Sequence, residues 1–564
     1  MLDLIIRSGT IVDGSGLPGY RGDVGVAGGR ITSVGRRLDD VEAARVIDAA
    51  GRVVAPGFID PHTHYDAQLC FDPYAYPAIE HGVTSVVTGN CSLSLAPVRP
   101  AHRERFSRMY RLIEEMPEAA FDQGVDWRWG ESFGGMLDAV GRDVALNVGA
   151  LVGHSVLRMY VLGDDPRRAA TDDEIAVMGD VLRECLDAGA LGLSTSYVDL
   201  EDDLRPVPCR FAEHRELEAL CAVLAERGRM LQVVHEFFDP GLTVSRVELL
   251  AGLSTRFAIP TTLSPLFHSA AAPGATDQVM AAVERVWSKG ARVWPQVQTR
   301  PIDISWTMGQ RSIMFLAIPG WWNVLAMNDP QRKLAALADP EVKARLVAGM
   351  DEAVAVRGPG MDPANYIIRQ VASEANRDLV GRTLGDVAAA RGTSAAELLI
   401  DLSVEEQLGT WFMRAELGHT DREAVGALLA HPLVHVGASD GGAHVGSFAT
   451  YGDTGFLFSR YVRETGALSL EAAVKKVTAD PATIWALPDR GQLKPGYAAD
   501  VVVFDAETID RGPEVTSGDF PGGGDRWIRH STGIESVVVN GTVTWTAAEG
   551  YSQTARAGVV TAPS

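Results

Sequence analysis

Eight short apolar runs recur along the middle of this chain, with helical stretches between or after them. The first is Val53-Val54-Ala55-Pro56-Gly57-Phe58-Ile59, and the others fall at 83–88, 146–152, 190–194, 231–234, 259–263, 293–297 and 434–438. Helical patterns at 172–188, 211–227, 276–289 and 468–484 accompany them. Strand and helix in alternation build parallel strands joined by helical crossovers, and eight repeats predict an α/β fold, a (β/α)8 barrel. In such a barrel the chemistry collects at the C-terminal ends of the strands. Those ends are therefore where a reactive constellation is sought.

Several of the runs stop at a polar reagent. The first continues as Asp60-Pro61-His62-Thr63-His64. Side chains two apart on an extended backbone point the same way, so His62 and His64 are expected to project together. Two convergent imidazoles suit a divalent metal, and zinc accepts His, Cys and carboxylate ligands. The second run leads into Gly89-Asn90-Cys91-Ser92, the third into Gly153-His154-Ser155, and the fifth into His235-Glu236. His268 follows the sixth, and the eighth ends at Ser439-Asp440-Gly441-Gly442. A phosphate loop of the Gly-x-x-x-x-Gly-Lys-Ser/Thr type does not occur, which argues against a nucleotide-driven enzyme.

Outside the repeat the texture changes. Residues 3–12 and 23–34 are short β runs, Gly28-Gly29 signals a hairpin turn, and β texture returns only at 499–505 and 534–541. Strands at both ends with α/β sequence between predict one small β domain assembled from 1–55 and 486–564. The barrel then occupies 56–485. Between the seventh and eighth runs the chain is far longer than one helix needs, so 300–380 is expected to be an insertion, of the kind that often covers an active site.

Composition narrows the class. With 564 residues, 46% of them hydrophobic, the chain can bury a large core, and no apolar run approaches a membrane span. The net charge of −22 comes from 51 basic and 73 acidic side chains with no basic stripe, which argues against nucleic acid or an anionic membrane as partner. A small-molecule substrate is the expected partner, and a homo-oligomer is left open. The five cysteines are scattered and unpaired in spacing, and the N-terminus has an acidic residue at position 3. Both point to a cytoplasmic protein without a disulfide framework.

The motif Pro56-Gly57-Phe58-Ile59-Asp60-Pro61-His62-Thr63-His64 resembles the first-strand signature of the amidohydrolase superfamily. Residues 82–97, Gly-Val-Thr-Ser-Val-Val-Thr-Gly-Asn-Cys-Ser-Leu-Ser-Leu-Ala-Pro, resemble the N-acyl-D-amino-acid deacylase family within it. In that family a cysteine after the second strand is a metal ligand. Residues 189–195, the stretch from Gly381 to Leu402, and Arg460-Tyr461-Val462-Arg463-Glu464 fit the same family, so the resemblance spans nearly the whole chain. It implies that the terminal β domain is a sandwich without chemistry. It also implies a tight zinc site of Cys91, His235 and His268, and a second, weaker one of His62, His64 and Asp440 with Cys91 shared. Asp440 is then the general base that takes a proton from metal-activated water and returns it to the leaving amine, and His154 steadies the oxyanion. The reaction expected is hydrolysis of a non-peptide C–N bond in an N-acyl amino acid or related amide.

The sequence departs from the family at substrate positions. Ser264 is followed by Pro265 rather than histidine, and Ser269 and Ala270 stand where a lysine is expected after His268. The seventh strand continues as Gln296-Val297-Gln298-Thr299-Arg300, where relatives show tyrosine. An N-acyl amino acid carries a carboxylate, so Arg300 is the candidate replacement cation, with Gln298 and His444 as further substrate contacts. A cyclic-amide hydrolase or a deaminase, and a non-catalytic scaffold on the same fold, are the alternatives. The scaffold reading predicts lost ligands, whereas His62, His64, Cys91, His235 and Asp440 are all present.

Overall fold

The computed structural model describes residues 1–562 other than Arg36, Phe238, Ala271, Ala317 and Ala438. The chain divides into two compact units: residues 1–300 with 421–445 and 449–564, and residues 301–420 with 446–448.

The first unit holds an eight-stranded sheet. Its strands are β1 (Phe58–Asp60), β2 (Val83–Thr88), β3 (Asn147–Gly153), β4 (Gly192–Ser196), β5 (Met230–Val234), β6 (Thr261–Ser264), β7 (Val293–Val297) and β8 (His435–Val436). They lie in chain order across the sheet, and every neighbouring pair is parallel. β2 to β6 are buried at every position, as expected of parallel strands covered on both faces. Just beyond the two edge strands the chain bonds to itself. His64 N donates to Gly441 O at 2.7 Å and Asp440 N to His62 O at 3.2 Å. The first and last strands thus deliver their C-terminal segments to one place.

The first expected strand divides in two. Val53–Pro56 pairs antiparallel with Val501–Phe504, whereas β1 pairs with β2. The pivot is Gly57, where a Cβ would lie 2.1 Å from Thr84 Oγ1, so only glycine lets the chain cross against β2. β8 is short, and Ala438, which closes the expected eighth run, lies outside the described residues. The expected helix at 468–484 is two, Leu470–Lys476 and Ala479–Ile484. Thr478 between them has φ −134° and ψ −81°, outside helical space, and Pro481 lacks the N–H that continuation would need.

The chain ends build a second, nine-stranded sheet in this unit. Its path runs Gly550–Tyr551, Thr542–Thr546, Ile534–Val539, Val501–Phe504, Val53–Pro56, Leu2–Ile11, Tyr20–Ala27 and Arg30–Val34. Ala43–Asp48 adds to Leu2–Ile11. Ile6, Ile11, Val24, Val54, Val501 and Val538 are among the residues of its core. A polar network ties this sheet to the base of β3. Asn147 Nδ2 donates to Asp500 Oδ2 at 2.9 Å, Asn540 Nδ2 donates to Asn147 Oδ1 at 2.8 Å, and Arg490 pairs with Asp500.

The second unit starts where the expected insertion starts and runs on to Thr420. It has a three-stranded sheet with Trp411–Leu417 between Ile302–Trp306 and Ile367–Gln370. Trp306, Phe315, Trp321, Tyr366 and Phe412 are central to its own core. Helix Ala395–Glu405 is closed by a reciprocal cap of Ser394 and Glu397.

Candidate metal centre

The loops after β1, β2 and β8 bring four of the predicted residues together. His62, His64 and Cys91 each offer a ligand atom, and these atoms lie within 4.8 Å of one another. Cys91 Sγ is 3.5 Å from His62 Nε2 and 3.6 Å from His64 Nε2. Asp440 Oδ1 is 3.3 Å from His62 Nε2 and 3.8 Å from His64 Nε2. Ligand atoms on one tetrahedral zinc ion, about 2.0–2.3 Å from it, stand roughly 3.3–3.7 Å apart. The donor set of two imidazoles and a thiol therefore fits a divalent metal in both chemistry and spacing, with the Asp440 carboxylate close to both imidazoles but outside the close-set group that holds Cys91.

The outer nitrogens of the two imidazoles are held by different partners. Gln296 Oε1 on β7 is 2.8 Å from His62 Nδ1, and Glu114 Oε1 is 3.0 Å from His64 Nδ1. The acceptor on His62 Nδ1 fixes the proton there and leaves the Nε2 lone pair facing inward. Burial lowers the pKa of His62. Burial opposes the charge on His64 as well, but Glu114 and then Asp440 and Asp66 outweigh it, to about 9. Burial, followed by the carboxylates of Asp199, Glu114, Asp440 and Asp66, pushes the Cys91 thiol well above its ordinary value. A cation among these groups would relieve that repulsion and favour the thiolate.

The backbone here is unusual. Cys91, Ser92, Glu115, Asp440 and His444 all have φ between 51° and 66°, the left-handed region that non-glycine residues rarely occupy. Each such conformation costs on the order of 1–3 kcal/mol and persists where surrounding structure enforces it, which happens most at functional sites. Gly442, at φ +91°, packs against the His64 backbone, where a Cβ would lie 3.0 Å from its carbonyl. The Gly441-Gly442 pair is thus the means by which the Asp440 turn closes on β1.

The remaining predicted residues are placed differently. His235 is fully buried, its Nδ1 3.0 Å from Ser264 O and its Nε2 without a hydrogen-bond partner among the described residues. Burial pushes its pKa down to about 4, so it is a neutral imidazole. His268 is buried with Nδ1 likewise unpartnered. Neither belongs to the close-set group, so Cys91 gathers with the histidine pair expected of the weaker site rather than with His235 and His268. After Ser264 the chain turns to β7, Leu266 N donating to Gln296 O at 2.8 Å, and His268 comes four residues beyond the strand.

His154 has both ring nitrogens engaged, Nδ1 with Thr195 Oγ1 at 3.0 Å and Nε2 with Glu216 Oε1 at 2.9 Å. The expected contact with a reacting oxyanion finds no free nitrogen. Arg300 is 2% exposed, pairs with Asp453 at 2.6 Å, and donates to Ser439 O at 2.8 Å. It braces the residue before Asp440. Gln298 Nε2 donates to Arg300 O at 2.7 Å. Neither of these side chains is placed as the expected substrate anchor, because burial has committed both to the protein. His444 Nδ1 is 3.7 Å from Glu115 Oε2. Burial disfavours its charge, yet Glu115 and Asp440 leave its pKa raised.

Glu114, Gln296 and Asp199 were not singled out in the sequence. Glu114 and Glu115 end helix Arg103–Ile113, where the dipole disfavours carboxylates, and that mismatch is the signal that marks them. Gln296 is a polar residue inside an otherwise apolar strand.

Known proteins with similar sequence and structure agree with this geometry. Residues 45–545 match the profile of the amidohydrolase family. The chain is 30% identical over 551 residues to D-aminoacylase of Alcaligenes xylosoxydans xylosoxydans, covering 96% of this chain and 94% of that protein. It is 32% identical over 552 residues to the N-acyl-D-glutamate deacylase of the same organism, covering 96% and 93%. The structure superposes with a TM-score of 0.68 on N-acyl-D-glutamate deacylase from Bordetella bronchiseptica, solved with zinc and a phosphonate inhibitor, at 26% identity over 99% of both chains. The paired histidines after β1, the eight parallel strands and the extent of these matches have one explanation: the chain belongs to the amidohydrolase family.

Proposed function

We propose that this protein is a zinc-dependent hydrolase of a non-peptide C–N bond, acting on an N-acyl amino acid or a related N-acyl amide. The observation that carries the proposal is the approach of Cys91 Sγ and Asp440 Oδ1, each to within 3.3–3.8 Å of the Nε2 atoms of His62 and His64. These four would hold one ion, with His235 and His268 as the candidates for a second. When bound, zinc supplies a Lewis acid that polarises the amide carbonyl and lowers the pKa of water. Asp440, whose side chain is 26% exposed, is the carboxylate in this set that solvent and substrate can reach. Its free oxygen takes a proton from the attacking water and returns it to the leaving nitrogen, releasing a carboxylate and an amine. His62 and His64 would face the ion through Nε2, His64 giving up on metal binding the proton that its pKa of about 9 otherwise retains, and both stand beside Asp440. His154 acts through packing, since its nitrogens face Thr195 and Glu216.

The same reading takes the eight parallel strands as a closed (β/α)8 barrel over 56–485, with its insertion about 300–380. It takes the sheet from 1–55 and 486–564 as a β-sandwich without chemistry. No helix among the described residues is long and apolar enough to cross a membrane, and we place the enzyme in the cytoplasm. The test is Asp440→Asn, assayed at saturating zinc on a panel of N-acyl-D- and N-acyl-L-amino acids, simple amides and cyclic imides. Turnover should fall roughly 10²–10⁴-fold, the range of a lost general acid–base. Undiminished turnover overturns the assignment, and release of ammonia instead of a carboxylic acid would turn the reading to a deaminase.

A further inference from the structure

The acidic loop after β4 contains one carboxylate that differs from its neighbours. Glu201 is held by Arg105 at 2.7 Å, Asp202 by Arg108 at 3.3 Å and Asp203 by Arg167 at 2.7 Å. Among the described residues no arginine or lysine pairs with the Asp199 carboxylate. Its amide donates to Ser196 Oγ at 3.1 Å, and its Oδ2 is buried without a hydrogen-bond partner among the described residues. A buried acceptor left open is costly unless a ligand completes it.

Asp199 stands beside the candidate metal centre. The Cys91 loop is bonded to β4, with Ser92 N donating to Ser194 Oγ at 3.1 Å and Ser194 Oγ to Gly89 O at 2.5 Å. Asp199 follows that same strand end by three residues. Among the carboxylates acting on the Cys91 thiol, Asp199 acts most strongly, and His64 and His444 are the cations that act on Asp199. Around the metal-ligand group, then, Glu114, Glu115, Asp199 and Asp440 supply negative charge, burial having lifted the pKa of Asp199 to about 6 and that of Asp66 to about 7. Arginines near these strand ends are engaged: Arg300 with Asp453, Arg158 with Glu216, Arg246 with Glu236 at 2.7 Å while stacked over Tyr197 at 3.5 Å, and Arg210 with the backbone carbonyls of Val198 and Asp199 at 3.1 and 3.3 Å. A bound ion would offset the carboxylates that face it, but a substrate carboxylate placed at Asp199 would meet like charge. An ammonium would meet an open oxygen.

We infer that the substrate of this site is an N-acylated amine bearing a second, cationic group, and that the Asp199 carboxylate is the residue that recognises it. The inference rests on the amide-hydrolase reading above and narrows its substrate class.

The experiment uses the zinc-loaded full chain and matched N-acetyl probes of two to five methylenes. One series ends in an ammonium (N-acetylputrescine and homologues), one in a carboxylate (4-acetamidobutanoate and homologues), and N-butylacetamide is neutral. The best ammonium probe should exceed its carboxylate counterpart by about tenfold or more in kcat/KM, the scale of a hydrogen bond to a charged group. Asp199→Asn should close that gap, read as the ratio of ammonium to carboxylate probe at each chain length so that a change common to all probes cancels. Calorimetric Kd values for the products 1,4-diaminobutane and 4-aminobutanoate give a second measure that needs no turnover. If no amide is cleaved but the diamine binds tighter and Asp199→Asn removes the preference, the charge inference stands and the hydrolase reading falls. Cleavage with the carboxylate series preferred, or a preference that Asp199→Asn does not move, overturns the inference while leaving the hydrolase intact. Should the variant not fold, the wild-type ratio decides.

Discussion

Glu114 Oε1 stands 3.0 Å from Nδ1 of His64, and both side chains are almost wholly buried. This carboxylate is the strongest charged influence on that imidazole. Drawn to Glu114 through Nδ1, His64 turns Nε2 towards Cys91 and Asp440, and the ion-pair contact raises its basicity as a ligand. His62 is oriented by the neutral amide of Gln296 instead. The two imidazoles of one motif are thus tuned by different means.

Removing the Glu114 carboxylate should therefore weaken metal binding more than it weakens the fold. Glu114→Ala is expected to raise the zinc Kd about 10–100-fold, the usual effect of losing an outer partner of a ligating histidine. Glu114→Gln keeps an acceptor and should fall between. Competition with a chromophoric chelator at fixed pH reads this directly. A zinc Kd unchanged in Glu114→Ala would show that His64 needs no partner to hold its tautomer.

His154 illustrates a different relation between position and role. It follows β3 at the reactive end, yet its ring lies between Thr195 and Glu216, and Glu216 also pairs with the fully buried Arg158. Arg158 Nη2 in turn donates to Pro166 O at 3.2 Å. Glu216→Ala leaves a buried guanidinium and imidazole without their counter-ion, and should cost about 3–5 kcal/mol in urea unfolding. His154→Gln, by contrast, should retain turnover per folded, zinc-loaded molecule. A fall of about 10²-fold, the scale of a lost oxyanion donor, would return His154 to the chemistry.

Much of this was legible before any coordinates. The strand ends were visible because parallel strands buried on both faces read as unbroken apolar runs, and the residue after each run had to be at the reactive face. His62 and His64 are legible that way; Cys91 and Asp440 stand at such strand ends, and the family resemblance gives them their roles. What the sequence could not tell was direction and partnership. The run 53–59 looked like one strand because nothing in its composition marks the crossing at Gly57, which depends on Thr84 across the sheet. Arg300 looked like a free cation because Asp453, which neutralises it, lies 153 positions away. Glu114 and Asp199 matter through what they face, and facing is a property of the folded chain.

His435 gives the fold itself a pH signature. It is fully buried on β8, and Trp485 Nε1 donates to its Nε2 at 2.9 Å, so the ring is neutral with its proton on Nδ1. Burial, with the charges of Lys476 and His62 adding, pushes its pKa down to about 3. In the unfolded chain a histidine titrates near 6.5. Between these values the unfolded state binds a proton that the folded state refuses, so stability is complete above about pH 6.5 and is lost as pH falls towards 3. One such group contributes a slope of about 1.4 kcal/mol per pH unit inside the window. In His435→Gln the side-chain amide can still accept from Trp485 and takes up no proton. With both proteins stripped of metal by chelator, urea unfolding from pH 4 to 7 should show the wild type losing stability more steeply than the variant, by about one proton. Parallel curves would mean that His435 is already protonated in the folded state, and that Trp485 donates elsewhere.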